Sequence, residues 1–170
     1  MMKIDRLVKI MEKLRDPKNG CPWDKKQTME SIIPHTIEEA YEVAEQIHNK
    51  NYNELKEELG DLLFQVVYLS QIASEKNKFN LNDVIESITS KMILRHPHVF
   101  KNKKFKNMKE FTSWWEKSKK KKQLSILDNI PFTYPAYLEA NKKKKKVASV
   151  GFDYKNKLDA IDKISEELEE

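Results

Sequence analysis

The fold is decided by two adjacent helical segments in residues 35–76, HTIEEAYEVAEQIHNKNYNELKEELGDLLFQVVYLSQIASEK, a stretch without proline. Apolar residues recur at three- and four-residue steps on both sides of a short polar link at residues 50–52. This spacing predicts amphipathic helices at His35–Asn49 and Asn53–Lys76. Helices joined by so short a link usually run antiparallel and side by side, so we predict that these two helices pack as antiparallel neighbours.

The segments around this pair also favour helices. The same apolar periodicity predicts further helices at residues 4–15, 81–94, 109–122 and 153–170. Residues 19–34 contain two prolines and little periodicity, so we expect a long ordered loop that has room for one helical turn. Residues 123–150 contain two prolines and a block of five lysines, which is typical of a linker. The chain is therefore predicted to be an all-α helical bundle.

The composition excludes several classes of protein. Charged residues make up 35% of the chain and only three of its 170 residues are glycine, which favours helices with solvated faces over a turn-rich β fold. The sequence has neither a run of about 18 apolar residues nor a signal-type segment, so we expect no membrane span and no export. The single cysteine, Cys21, agrees with a reducing compartment, and we expect a cytoplasmic protein.

The uneven distribution of charge raises a non-enzymatic alternative. Residues 1–100 hold 14 Lys and Arg against 16 Asp and Glu, whereas residues 101–170 hold 18 against 11. The lysine runs at 119–122 and 142–146 are compatible with a basic helical module that binds nucleic acid or another protein without catalysis. Lysine runs without interleaved arginine or aromatic residues are more typical of solvated linkers, so nucleic acid is not the expected partner.

The predicted helix His35–Asn49 carries a cluster of acidic residues. Glu38, Glu39 and Glu42 form the pattern E-E-x-x-E, and at about 100° per residue they share one helix face. Apolar residues occupy the opposite face. Taken alone, this pattern is that of the solvated side of an amphipathic helix.

The following helix changes that interpretation. Glu58 and Asp61 lie one turn apart as E-x-x-D and precede residues 62–74, which contain no charge. A helix that is apolar on all sides is typically buried, so we expect these two carboxylates to point into a protein interior. Buried carboxylates without partners are costly and tend to become protonated.

A divalent cation would relieve this cost. Mg²⁺ prefers hard oxygen ligands and completes its coordination with water and substrate phosphates, so a magnesium site with phosphoryl chemistry is predicted. Lys91 and Arg95, four residues apart, are candidates to hold the phosphates, although a solvated helix edge has the same pattern. A di-iron bundle is a rival, because Glu45 and His48 form E-x-x-H, but no second E-x-x-H occurs in the sequence.

Four segments of the chain resemble the MazG family of nucleoside triphosphate pyrophosphohydrolases. They are GCPWDKKQT (20–28), EEAYE (38–42), EELGDLLFQVV (57–67) and KMILRHPHVF (91–100). The resemblance extends from Ile4 into the last predicted helix. It implies an α-helical fold, usually a tight homodimer, that binds Mg²⁺, or Mn²⁺ as a substitute. It also implies hydrolysis of nucleoside triphosphates between the α and β phosphates, giving a monophosphate and pyrophosphate.

The resemblance also assigns roles at the metal. By motif position, the expected metal ligands are Glu39, Glu42, Glu58 and Asp61. Glu38 is the candidate to orient or deprotonate the attacking water, a task that suits a carboxylate near a metal.

Five further residues are expected to bind substrate. Lys91 and Arg95 match positions that contact triphosphate in similar proteins, and Trp115, in W-E-x-x-K, is a candidate to stack on the base. Trp23 and Lys25 belong to the loop signature and are expected to shape the mouth of the site. The alternatives are a core or interface aromatic for Trp115 and a loop anchor for Trp23 and Lys25.

The last segment, VGFDYKNKLDAIDKISEELEE (150–170), resembles the opening of a second MazG-like repeat. No E-x-x-D follows its E-E-x-x-E, so a second complete site is not expected from this polypeptide. Either the first domain acts alone, or the main activity is lost in a truncated form. The expected organisation is a MazG-like domain, a lysine-rich linker and a truncated second repeat at residues 1–122, 123–150 and 151–170. House-cleaning of abnormal nucleotides and control of signalling nucleotides both remain open as roles.

Overall fold

The computed structural model describes residues 3–118, 125–128, 130–153 and 156–169. These ranges hold nine helices and no strand, which confirms the predicted all-α class. The helices are α1 (Lys3–Leu14), α2 (Pro22–Lys26), α3 (Met29–Asn49), α4 (Tyr52–Glu75), α5 (Leu81–Arg95), α6 (Pro97–Phe100), α7 (Met108–Ser118), α8 (Ala136–Ala148) and α9 (Lys157–Glu169).

The chain divides into two compact units. The first spans Met1–Lys104 and contains α1 to α6, and the second spans Phe105–Glu170 and contains α7 to α9. The boundary expected at residue 122, like the last turn of the helix predicted at 109–122, lies outside the described residues.

Helix α3 begins earlier than predicted. Thr28 and Ser31 form a capping box, in which Thr28 Oγ1 accepts from the Ser31 N–H at 3.2 Å and Ser31 Oγ accepts from the Thr28 N–H at 2.9 Å. The prediction of a loop through Pro34 is therefore wrong from Met29 onward. Pro34 removes a single backbone donor, and the cap together with the burial of Ile32, 1% exposed, outweighs that loss.

A two-residue link joins α3 to α4. Lys50 ends α3 in the left-handed region with φ of 56°, and the Asn51 side chain then caps α4 by accepting from the Glu54 N–H at 3.4 Å. The two helices pack against each other over much of their length, as their sequence predicts. Helix α4 also contacts α1 and α5, so it is the central helix of the first unit.

The core of the first unit is small and lies on one side of α4. Its buried side chains come from α1, α3, α4 and the start of α5, and they are Met11, Ile32, Val67, Tyr68, Ile72 and Leu81. The expectation that α4 is buried on all sides is wrong within this chain. Leu59, Leu63 and Val66 are 50%, 44% and 38% exposed, because no element of the first unit covers that stripe.

A polar network fastens α2 to the core. Arg15 donates to both carboxylate oxygens of Glu75, at 2.8 and 2.7 Å, and to the carbonyl oxygen of Asp24 at 2.5 Å. The Tyr68 hydroxyl donates to the same Asp24 carbonyl at 3.0 Å. Gly20 allows the preceding turn, because a Cβ at this position would lie 2.5 Å from the carbonyl oxygen of Leu14.

The lysine block of the second unit is helical. Its five lysines, expected in a linker, lie on α8 instead, where Lys143 pairs with Glu139 at 2.6 Å. Lys146 Nζ donates to the carbonyl oxygens of Ile126 and Asp128 at 3.0 and 2.7 Å. A lysine that satisfies two carbonyl groups in this way stabilises local structure, which the count of charges in the sequence does not reveal.

Within the described ranges, no helix combines the length and the apolar character that crossing a membrane requires.

The capping box leads to a test of where α3 begins. We expect Thr28→Ala to lower the free energy of unfolding by about 1 kcal/mol, because the Ser31 N–H loses its acceptor. Thr28→Ser retains the hydroxyl and should stay close to the wild type. Urea unfolding followed by circular dichroism measures the difference, and equal stability of the two variants would show that the helix does not depend on this cap.

Candidate metal centre

Three carboxylates from the paired helices meet at one place. Glu39 on α3 and Glu58 and Asp61 on α4 each offer an oxygen, and these oxygens all lie within 4.8 Å of one another. The spacing of three residues places Glu58 and Asp61 on the same face of α4, and the packing of α3 supplies the third group. A donor set made only of carboxylate oxygens suits hard cations such as Mg²⁺.

The cluster is accessible to solvent. Glu39 and Glu58 are half-buried and Asp61 is exposed, so the expectation that the α4 carboxylates point into the protein interior is wrong. The reason lies along α4, whose buried residues begin only at Gln65, one turn after Asp61. A phosphate group can therefore reach these carboxylates from solution.

Crowding of like charges perturbs the cluster. Burial raises the pKa of the Glu39 carboxyl, and the carboxylates of Asp61 and Glu42 raise it further, against the opposing effect of a hydrogen bond from Gln65. Burial is also the largest cause that raises the pKa of Glu58, and repulsion from the carboxylates of Glu42 and Asp61 raises it further. A bound cation would offset this repulsion, so the charge distribution of the cluster is compatible with a cation site.

The remaining two acidic residues of the motif occupy different positions. Glu42 interacts electrostatically with Glu39 and Glu58 but lies outside the set of three whose oxygens are mutually close. The Glu38 side chain is exposed, and its Oε2 lies 3.7 Å from Nδ1 of His35. The structure thus assembles three of the four expected ligands, with the fourth beside them, and leaves Glu38 on the solvent side of α3.

Comparison with known proteins decides the family. Residues 27–100, which include all of these carboxylates, match the model of the MazG nucleotide pyrophosphohydrolase domain. The structure is similar to the crystal structure of a mazG-related protein from Thermotoga maritima, with a TM-score of 0.57 and 30% sequence identity, over 69% of this chain and 99% of that chain. The chain belongs to the MazG family.

Curated relatives of this MazG-family chain carry the name of an enzyme. The nucleoside triphosphate pyrophosphohydrolase of Escherichia coli is 46% identical over 175 residues, which cover 100% of this chain and 66% of that protein. A Thermotoga maritima protein named nucleoside triphosphate pyrophosphohydrolase/pyrophosphatase MazG is 45% identical, over 98% of this chain and 65% of that protein. The chain therefore spans about two thirds of the length of these relatives.

Two of the expected substrate-binding residues lie on α5. Lys91 and Arg95 are one turn apart in its last two turns, with Lys91 exposed and Arg95 half-buried. Trp115 belongs to α7 in the second unit, where it is half-buried and its ring lies 6.0 Å from that of Phe111. This contact agrees with the alternative that Trp115 is a packed aromatic residue.

The loop signature contains one anchored residue and one exposed residue. Lys25 Nζ donates to the carbonyl oxygen of Pro17 at 3.3 Å, as expected of a loop anchor. Trp23 is 52% exposed, and its ring meets that of His35 edge-on at 5.9 Å. Since His35 precedes Glu39 by one helical turn, Trp23 lies near the acidic face of α3.

Sequence reasoning missed Gln65. This residue is buried and donates from Nε2 to Oε1 of Glu39 at 3.2 Å. A signal was present, because Gln65 is the polar residue in the apolar run LLFQVVYL (62–69) and follows Glu58 by seven residues and Asp61 by four. These spacings place all three side chains on one helix face.

The raised pKa of Glu39 predicts a gain in stability when its charge is removed. The folded chain holds this proton to a higher pH than the unfolded chain, so ionisation lowers stability as the pH rises above about 4.3, the usual value for Glu. We expect metal-free Glu39→Gln to be more stable than the wild type at pH 7, with the difference closing in acid. Thermal unfolding of both proteins over a range of pH measures this difference in stability.

Added Mg²⁺ should reverse this order of stability, so that the wild type becomes more stable than Glu39→Gln. At about 100 times its dissociation constant, a ligand of the folded state stabilises it by about 2.7 kcal/mol, and we expect this gain for the wild type but not for Glu39→Gln. Glu45→Gln, an exposed site on α3 outside the cluster, is the matched control. An equal response to Mg²⁺ in all three proteins would contradict a metal centre at Glu39.

Proposed function

We propose that this chain binds Mg²⁺ and hydrolyses nucleoside triphosphates to a nucleoside monophosphate and pyrophosphate. The observation that carries the proposal is the convergence of carboxylate oxygens from Glu39, Glu58 and Asp61 within 4.8 Å, inside the range that matches the MazG domain. The names of the curated relatives support the reaction class. Mn²⁺ is the expected substitute, because it also accepts carboxylate oxygen ligands.

The metal ligands proposed are Glu39, Glu58 and Asp61, with the neighbouring Glu42 as the fourth. When bound, Mg²⁺ supplies Lewis acidity and neutralises phosphate charge. The half-buried position of Glu39 and Glu58 limits the competition of bulk water for these oxygens. The exposed Asp61 leaves the centre open toward the triphosphate.

The other roles are proposed for residues outside the carboxylate cluster. Glu38 is proposed to orient the attacking water and accept its proton, a role that suits its solvent-exposed carboxylate. Lys91 and Arg95 are proposed to hold phosphate oxygens by charge-assisted hydrogen bonds. Trp23 offers an exposed ring for the base. Lys25 is proposed to shape the segment beside Trp23.

Assay of the reaction products tests this proposal. With Mg²⁺ and a panel of canonical, modified and signalling nucleotides, we expect release of pyrophosphate and a monophosphate. Glu39→Ala and Asp61→Ala should each lower kcat/KM at least about 100-fold, because each removes a metal ligand. Glu45→Ala should stay near the wild type.

Two results would contradict the reaction class. Release of orthophosphate alone would exclude cleavage between the α and β phosphates. Steeply salt-dependent binding to arbitrary DNA, without pyrophosphate release, would favour the basic binding module. The ranking of substrates in the same panel separates house-cleaning from control of signalling nucleotides.

We also propose that the chain forms a homodimer. Large apolar side chains of the helix pair remain exposed, including the stripe Leu59, Leu63 and Val66 on α4 and the series Ile33, Ile37 and Tyr41 on α3. Contiguous apolar surface of this kind marks an interaction site. A second copy offers the same stripe in a self-complementary arrangement, as a two-fold interface requires.

A charged residue substituted into the apolar stripe of α4 tests the proposed dimer. We expect Leu63→Asp to convert the dimer into a monomer in sedimentation velocity, because burial of an unpaired carboxylate opposes association. Asn53→Asp adds the same charge at an exposed polar position of α4 and should remain dimeric. A wild-type chain that still sediments as a monomer when its concentration is raised would contradict the proposal.

A further inference from the structure

Gln65 stands out as a polar residue in the apolar part of α4. It is only 8% exposed, and its Nε2 donates to Oε1 of Glu39 at 3.2 Å. Its own Oε1 is buried and has no hydrogen-bond partner among the residues that the structure describes. The amide is thus oriented toward Glu39 by a single hydrogen bond.

The chemistry fixes the orientation of this amide. If the amide were turned over, its oxygen would face the Glu39 carboxylate oxygen, and two acceptors would meet at hydrogen-bond distance. A buried carbonyl oxygen without a donor destabilises the folded chain, whereas an apolar side chain of similar size would not. The stability of the fold therefore does not explain a glutamine at position 65. The hydrogen bond that its amide donates to Glu39 does explain it.

We propose that Gln65 is a positioning residue for the metal centre. Its amide holds the Glu39 carboxylate in the orientation that brings it within 4.8 Å of the Glu58 and Asp61 oxygens. A carboxylate held in this way binds a cation without first losing rotamer freedom, and it keeps its place despite the repulsion from the two α4 carboxylates. The inference rests on the proposed function, since it assumes that Glu39 is a metal ligand.

A glutamine elsewhere on α4 provides a matched control. Gln71 Nε2 donates to Oε1 of Glu75 at 3.1 Å, so the same donor and acceptor types meet two turns further along the helix. Glu75 pairs with Arg15 and lies outside the carboxylate cluster. Replacing either glutamine removes a hydrogen bond of the same kind, and only Gln65 contacts the centre.

The test is Mn²⁺ binding to the purified chain, followed by the electron paramagnetic resonance of free Mn²⁺. We expect Gln65→Met to weaken Mn²⁺ affinity by about 10- to 100-fold, the usual effect of removing a hydrogen-bond partner of a metal ligand. The Mg²⁺ concentration for half-maximal pyrophosphate release should rise by a similar factor. Gln71→Met should bind Mn²⁺ like the wild type.

Stability separates positioning from a purely structural role. Methionine has nearly the length of glutamine and leaves no buried oxygen without a donor, so metal-free Gln65→Met should melt at or above the wild-type temperature. Weaker metal binding together with undiminished stability is the expected pair of results. If Gln65→Met does not fold, Gln65→Leu repeats the test, and failure of both to fold would overturn the inference.

Metal binding by the wild type and by Gln65→Met distinguishes failure of the metal centre from failure of the positioning role. A wild-type chain that binds no Mn²⁺ would overturn the metal centre and, with it, the role of Gln65. A wild type that binds Mn²⁺, together with a Gln65→Met variant of equal affinity, would overturn the positioning role alone and leave the proposed function intact.

Discussion

Repulsion among carboxylates held together by two packed helices is the constraint on which this site depends. Glu39, Glu58 and Asp61 reach one another only because α3 and α4 pack side by side, and burial with like-charge repulsion raises the pKa of Glu39 and Glu58. The free energy of packing is what keeps these charges together. A bound cation would offset this repulsion, so its binding would favour the same helix packing that brings the carboxylates together.

The packing that supports the centre is concentrated on the other side of α4. Tyr68 and Ile72, each 1% exposed, lie in the core, while the carboxylates precede the buried part of the helix. The change from acidic to apolar residues along α4 therefore determines how deeply the carboxylates are buried. It leaves the side chains of Glu39 and Glu58 partly shielded and that of Asp61 exposed to solvent.

The loop signature is tied to the same helix. Arg15 joins the end of α1 to Glu75 at the end of α4 and to the carbonyl oxygen of Asp24, which Tyr68 also contacts. This pairing holds the pKa of Glu75 below its usual value. The network fixes the backbone of α2, so the exposed Trp23 is presented from a rigid base near the acidic face of α3. One short motif thus contains both residues that anchor α2 and an exposed aromatic ring.

The amino-acid sequence by itself determined the helical class, the helix pair, and which acidic residues share a face, because helical periodicity and spacing are local properties. The start of α3 predicted from the sequence was wrong, because Pro34 suggested a break. The Thr28 cap and the burial of Ile32 overcome that break. Only the tertiary structure decided how deep the carboxylates lie and that Gln65 donates a hydrogen bond to Glu39. Burial and contacts between helices depend on which elements pack together, and no local pattern along the chain specifies them.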